Sequence, residues 1–246
     1  MASAAGERHL DWEGCFNVRD LGGLPASGGM RIAQGALVRA DSLSRLSAAG
    51  WQALLDHGVR TVIDLRNPRE REHAPDLAPR PEEVETVHVA LDGAEDRGFW
   101  QSIEATPEFG TPIYYRAHLM RKPQLAAGAV KAIAHAAPGG VAFHCVGGRD
   151  RTGELAMVSL ALAGVAPEAI AGDYELSAER QAGLWAALGQ DDPAEELAAY
   201  LAERGTTAGE VIETTLASLD LEATLAAGGL AGEDVAALRA RVLAPA

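Results

Sequence analysis

Cys145 and Arg151, with five residues between them, can do nucleophilic chemistry on an anion if the backbone joining them curls into a cradle. Val141-Ala142-Phe143 before them reads as the end of a buried strand, and the apolar run 155–163 after them is long enough for a buried helix. A strand, a loop bearing Gly147 and Gly148, and a helix N-terminus aim successive backbone N–H groups at an anion, and the helix dipole adds positive potential. Arg151 can grip two phosphate oxygens as a planar fork. The same potential favours the thiolate of Cys145, which is the nucleophilic form. A thiolate beneath a cradled phosphate implies phosphoryl transfer through a cysteinyl-phosphate. Val146, Gly147, Gly148, Arg149 and Thr152 are then phosphate-binding residues, Thr152 able to donate to the thiolate, and His144 can hold the loop from behind. A merely structural cysteine in a glycine turn is not expected beside three consecutive charges, Arg149, Asp150 and Arg151.

Cys145-x5-Arg151-Thr152 resembles the signature of cysteine-dependent protein tyrosine phosphatases. The longer string His144-Cys145-x-x-Gly148-Arg149-Asp150-Arg151-Thr152-Gly153 resembles the bacterial protein tyrosine phosphatase B-like group, which usually has lysine where this chain has Arg149. That exchange keeps the charge but replaces a point charge by a planar fork. Asn17-Val18-Arg19-Asp20-Leu21-Gly22-Gly23 is similar to the Asn-Phe-Arg-Asp-Leu-Gly-Gly opening of the same group. Further likeness lies in Arg39-Ala40-Asp41-Ser42-Leu43, Asp64-Leu65-Arg66 and Asp173-Tyr174-Glu175-Leu176-Ser177, so the resemblance runs over residues 15–243. It implies an α/β fold with a mostly parallel central sheet flanked by helices, a helical lid over the site and further C-terminal helices. It implies hydrolysis of phosphotyrosine, with some members acting on phosphoserine, phosphothreonine and phosphoinositides. It also implies a general acid inside the loop, at Asp150; Asp64, Asp92 and Asp96 are the candidates elsewhere. No cofactor or metal is expected, and no His/Cys/Asp spacing outlines a metal site.

The 246 residues suffice for one phosphatase domain over 1–246, with no internal repeat or low-complexity tract. A net charge of −14 argues against nucleic acid and against polybasic membrane attachment, and makes Arg149 and Arg151 a local positive well. Residues 1–14 contain no apolar signal region and no run of 18 apolar residues occurs, so neither a signal peptide nor a membrane anchor is expected. Two cysteines, Cys15 and Cys145, cannot build a disulfide framework, which fits a reducing cytoplasm. The resembled group includes members exported without an ordinary signal. The expected partner is a phosphorylated protein or a phosphoinositide, and no partner chain is implied.

Several elements must position these residues. Gly22-Gly23 and Ser27-Gly28-Gly29 punctuate a hairpin whose return strand is read over 30–38. At least one of Asn17, Arg19 and Asp20 is expected to brace the phosphate loop, the alternative being a surface ion pair. Ser47 caps a helix over 48–57, closed by Gly58. Residues 59–66 read as a parallel strand buried on both faces, with Asp64 and Arg66 at the end where such sheets keep their sites. For Asp64 a catalytic role and simple pairing with Arg66 stand side by side. Residues 67–81, with four prolines, read as a mobile connection with one helical turn at 68–73, and 84–91 as a strand with His88 in its wall. Residues 92–110 read as an irregular passage anchored by Phe99 and Trp100, followed by helices at 112–121 and 123–137. Pro167 opens another helix. Residues 178–204 are amphipathic and helical with a break at 189–193. They are either the implied lid, with Trp185, Leu188, Leu197, Tyr200 and Leu201 inward, or a permanently packed hairpin. Two or three helices follow in 206–243.

Two other readings use the same loop. A rhodanese-like sulfurtransferase also carries a loop cysteine, and a non-catalytic phosphate-binding module needs only the cradle. The Arg151-Thr152-Gly153 ending, with nucleophile and arginine both present, favours the phosphatase. None of the four tyrosines and four tryptophans sits beside the loop in the chain to announce a deep phosphotyrosine slot.

Overall fold

The computed structural model describes residues 8–246; the first seven, part of the stretch read above for a leader, lie outside the described residues. Strands β1 (Arg19–Asp20), β4 (Leu37–Ala40), β7 (Gly140–His144), β5 (Val59–Asp64) and β6 (Glu85–His88) form a five-stranded sheet in that order. The last four run parallel and β1 is an antiparallel edge. Strand β7 is buried along its whole length, as a central parallel strand covered on both faces must be. Its carboxyl end delivers His144 and Cys145. After the loop, α6 (Asp150–Leu162) is buried at every position from Thr152 to Leu160. It packs against β7 and against helices α5 (Pro123–Ala134) and α7 (Pro167–Leu188).

The expected return strand over 30–38 is in fact two strands in two sheets. Strand β3 (Met30–Ile32) pairs with β2 (Pro25–Ala26) and β8 (Leu243–Pro245) in a small antiparallel sheet. The chain then turns, with Ala36 N donating to Ala33 O (3.2 Å) and Gly35 at φ +72°, and β4 leaves to pair with β7.

Helix α1 (Ala48–Asp56) starts where Ser47 Oγ accepts from Gly50 N (3.1 Å) and stops before Gly58, which sits at φ +93°. Helix α2 (Pro68–His73) is started by a reciprocal Asn67–Glu70 capping box. Residues 92–110 are not an irregular passage. They contain α3 (Arg97–Glu104), capped by Asp96 and burying Trp100 and Ile103, and a 3₁₀ turn at Pro107–Gly110. A short helix with one apolar face is stabilised by what it packs on rather than by propensity. A second 3₁₀ turn (Pro112–Tyr114) leads into α4 (Tyr115–Arg121).

The segment 178–204 is not a separate helical pair. Its first arm is the second half of α7, which ends at Gly189 (φ +65°), and its second arm is α8 (Ala194–Ala202). Helices α9 (Ala208–Ser218), α10 (Leu221–Ala227) and α11 (Gly232–Val242) follow. No helix among the described residues is long and apolar enough to cross a membrane.

Candidate active site

Every backbone carbonyl from His144 to Gly148 is bound on the outside of the loop. Leu65 N donates to His144 O (2.9 Å) and Ser42 N to Val146 O (3.0 Å). His144 Nδ1 lies 2.9 Å from Cys145 O, and Gln181 Nε2 donates to Gly147 O (2.7 Å). Asn17 Nδ2 donates to Gly147 O and Gly148 O (3.2 Å each), and Arg39 Nη2 to Gly148 O (2.9 Å). In a trans peptide the N–H points away from its own carbonyl. The amides of Val146, Gly147, Gly148 and Arg149 are therefore turned inward, and they donate to no backbone carbonyl among the described residues. Gly148 holds the bend at φ +71°; a Cβ there would stand 2.6 Å from Asp41 N, so only glycine fits. The N-terminus of α6 adds its dipole at the same place.

A cavity of about 730 Å³ opens over this loop. Cys145, Arg149, Asp150 and Arg151 form its floor, and Trp100, Phe109, Tyr114 and Trp185 stand in its walls. Asp92 Oδ1, Arg149 Nε, Asp150 Oδ1, Gln181 Oε1 and Trp185 Nε1 line it as buried polar atoms with no hydrogen bond among the described residues. Buried polar atoms are nearly always satisfied, so unsatisfied ones facing a cavity are free to meet a ligand there. Thr152 Oγ1, on the first turn of α6, is also without a partner.

Arg151 is already oriented. Its Nη1 donates to Glu70 Oε2 (2.5 Å) and Asp92 Oδ2 (3.2 Å), and its Nη2 to Glu70 Oε1 (2.7 Å). Burial disfavours its charge, but the Glu70 hydrogen bond and the negative charges of Cys145, Glu70 and Asp92 outweigh that and hold its pKa above the ordinary value. Of the five guanidinium donors, Nε–H and the second Nη2–H stay uncommitted, and they share one edge.

Asp64, weighed above as a catalytic carboxylate, is instead the buried partner of Arg66 (Nε–Oδ1 2.9 Å, Nη2–Oδ2 2.8 Å) and does not line the cavity. Burial pushes its pKa up, yet the Arg66 hydrogen bonds and nearby positive charge win and hold it at about 2. His144 Nε2 stands 3.8 Å from Asp64 Oδ1. Burial holds His144 at about 4, so it is uncharged near neutrality and Arg66 is the counter-ion. Asp150 is the first residue of α6, its Oδ1 3.6 Å from Arg149 Nε. Tyr115 donates its hydroxyl to Asp150 O (2.7 Å) and fixes that turn.

Of the three residues expected as braces, Asn17 touches the loop. Arg19 stands one step behind, donating to Asn17 Oδ1 (2.6 Å) and to Asp173 Oδ1 (3.1 Å). Asp20 does not reach the loop; it accepts from Gly22 N and Gly35 N (2.7 Å each) and faces His57. Asp173 also pairs with Arg39 (2.8 Å), which ties the brace to α7. Sequence reasoning leaves out Glu70, Arg39 and Gln181. The Asn67-x-x-Glu70 capping spacing was a signal for the first, and nothing marked Gln181.

From the lid segment, Trp185 and Leu197 line the cavity and Leu201 is buried beside Leu197. Leu188 is 40% exposed and Tyr200 carries the Arg204 guanidinium on its ring at 3.4 Å, so neither faces the loop.

The model of the tyrosine phosphatase family matches residues 10–244. A Cupriavidus necator protein provisionally named as a tyrosine-protein phosphatase is 32% identical over 191 residues, covering 74% of this chain and 67% of that one. A Nostoc commune tyrosine-protein phosphatase is 34% identical over 154 residues, covering 63% of this chain; the alignment spans 52%, about half, of that relative's length. The crystal structure of TpbA from P. aeruginosa matches 82% of this chain and 91% of that one at 17% identity, with a TM-score of 0.33. Matched by the family model along nearly its whole length, the chain belongs to the tyrosine phosphatase family and is a phosphoric monoester hydrolase.

Proposed function

We propose that the protein hydrolyses phosphotyrosine in phosphorylated proteins through a cysteinyl-phosphate on Cys145. The observation that carries this is the loop itself, whose carbonyls are all tied outward so that its amides converge over the thiol. Cys145 Sγ forms a bond to phosphorus as the ester oxygen leaves, taking a proton from Asp150. Water then attacks phosphorus and gives a proton to Asp150. The S–P bond breaks, the thiolate returns and inorganic phosphate departs. The loop amides and the free Nε/Nη2 edge of Arg151 neutralise the three equatorial oxygens. Glu70 acts as a positioning residue that keeps this edge turned to the loop.

Trp100, Phe109, Tyr114 and Trp185, remote from the loop in sequence, meet in the cavity wall and suit a phenyl ring. Arg149 lines the same cavity and carries a positive charge there, paired at 3.6 Å with Asp150 alone among the described residues, which favours a second reading: activity on esters carrying another anionic group, phosphoinositides and phosphoserine/threonine segments among them. In this proposal the chain works as one phosphatase unit, α8 and the end of α7 form its lid, and both thiols, Cys15 and Cys145, stay reduced in the cytoplasm. Cys145→Ser is expected to abolish turnover while phosphate binding remains, because the amides and Arg151 are untouched. Vanadate is expected to inhibit and EDTA to leave the rate unchanged. Turnover by Cys145→Ser above a few per cent of the parent overturns the proposal, and rates on the three ester classes decide the breadth.

A further inference from the structure

Beside the carboxyl ends of β5 and β6 lies a pocket of about 320 Å³ that shares no lining residue with the cavity over Cys145. Three arginines from three places converge on it: Arg66 just past β5, Arg71 on α2 and Arg80 from the connection that follows. Thr86 and His88 of β6 complete the wall, with Asp64 and Asp76 as its only carboxylates.

Two of the arginines are fixed in place. Asp64 forks Arg66, and Asp76 forks Arg80 through Nε–Oδ2 and Nη2–Oδ1, both 3.1 Å. The Arg80 guanidinium also lies 5.0 Å from the ring centre of buried Trp51 and bonds Thr86. Arg71 is different. Its side chain makes no hydrogen bond or ion pair among the described residues, and its Nε is enclosed without a partner. His88 stands 3.6 Å from Asp64 Oδ2. Burial and the neighbouring Arg71 hold its pKa below the ordinary value, so the ring is neutral near pH 7 and keeps one N–H to donate.

Three guanidiniums facing two carboxylates leave surplus positive charge in a chain whose net charge is −14. An acidic chain has carboxylates to spare, yet Arg71 is left without one. Arg66 commits its fork to Asp64 and its Nη1 to Ser42, Ser44 and Ala74 O, and Arg80 commits its fork to Asp76. An anion is therefore left the unpaired Arg71 and the outer Nη–H groups of Arg80, charge-assisted donors of the kind a tetrahedral oxyanion takes.

We propose that this pocket is a second anion site that binds a phosphate group, either free inorganic phosphate or a further phosphorylated residue of the substrate protein. The two sites share part of their frame. Adjacent positions of α2 send Glu70 to Arg151 and Arg71 to this pocket. Asp64, which orients Arg66 here, faces His144, the residue before Cys145.

The test is equilibrium dialysis of radiolabelled inorganic phosphate against Cys145→Ser protein. Two phosphates per chain are expected, one lost with Arg71→Glu and the other with Arg151→Ala. Weakening of the Arg71-dependent phosphate by Arg71→Gln should be roughly tenfold, the size of one charge-assisted hydrogen bond. Unchanged para-nitrophenyl phosphate turnover in Arg71→Glu alone shows that this variant folds. Binding of one phosphate, untouched by either Arg71 change, overturns the proposal. Failure of the active-site reading is separate: it removes the Arg151-dependent phosphate and leaves the Arg71-dependent one. Singly and doubly phosphorylated peptides identify the source. A kcat/KM loss in Arg71→Glu on doubly phosphorylated peptides only assigns the second phosphate to substrate. Equal rates on both, with dialysis still counting two phosphates, assign it to free phosphate.

Discussion

Asp150 and Asp64 are both carboxylates close to the phosphate loop, and their surroundings are opposite. Asp64 is wholly buried against Arg66 and held at about 2, so it is ionised near neutrality. Asp150 faces the cavity beside Cys145, with its Oδ1 making no hydrogen bond among the described residues. Asp150→Asn is expected to slow turnover by roughly 10²–10⁴ on poor leaving groups. It should cost much less on para-nitrophenyl phosphate, whose leaving group scarcely needs a proton. Asp64→Asn is expected to lower stability by about 3 kcal/mol in urea melts, because Arg66 is left buried without its counter-ion. If the leaving-group dependence appears in Asp64→Asn and not in Asp150→Asn, the roles are reversed. That Cys145, Asp150 and Arg151 share one cavity was legible in the sequence because they lie within one short string. Glu70 stands 81 residues from Arg151 and Arg39 stands 109 from Gly148, so their contribution exists only once the sheet has formed.

Helix α7 is both brace and wall. Asp173, Ser177, Gln181 and Trp185 recur every four residues, which puts them on one face of the helix. The first two hold Arg19 and Arg39, the third holds Gly147 O, and the fourth lines the cavity. The proposed lid therefore cannot swing from the start of α7 without undoing the loop; such a lid would hinge near Gly189, ahead of α8. Trp185→Ala combined with Leu197→Ala is expected to speed alkylation of Cys145 several-fold, whereas Leu188→Ala, at an exposed position, should leave the rate alone. Equal alkylation rates in the folded double variant and the parent would mean that α8 is permanently packed. The break at 189–193 was legible from Gly189 and Pro193, which interrupt an otherwise amphipathic pattern. Helix α3 was not, because its polar surroundings hide a two-residue apolar face, Trp100 and Ile103, that acquires meaning only against the body.

Across the whole molecule, two buried histidines bound the range of pH in which the fold is most stable. Burial holds His144 at about 4, against 6.5 for an exposed histidine. Between those values the unfolded chain takes up a proton that the folded chain refuses, so stability falls as pH drops from 6.5 toward 4, by about 3 kcal/mol in all. His118 works in the other direction. Burial opposes its charge, but Glu154, 2.9 Å from Nδ1, outweighs burial and raises its pKa above 6.5. The stability this pair contributes is complete below 6.5 and is lost as pH rises through the raised value. His9 and His88 are shifted down like His144 but are more exposed, so they add less on the acid side. Asp64 and Asp173, both held below the usual carboxylate range, lose their contribution only at still lower pH. The stability maximum is therefore expected near pH 6.5, measured as urea midpoints from pH 4.5 to 8.5. His144→Asn should flatten the acid side alone, and His118→Asn the alkaline side alone. An acid limb that keeps its parent slope in His144→Asn would show that other groups control it.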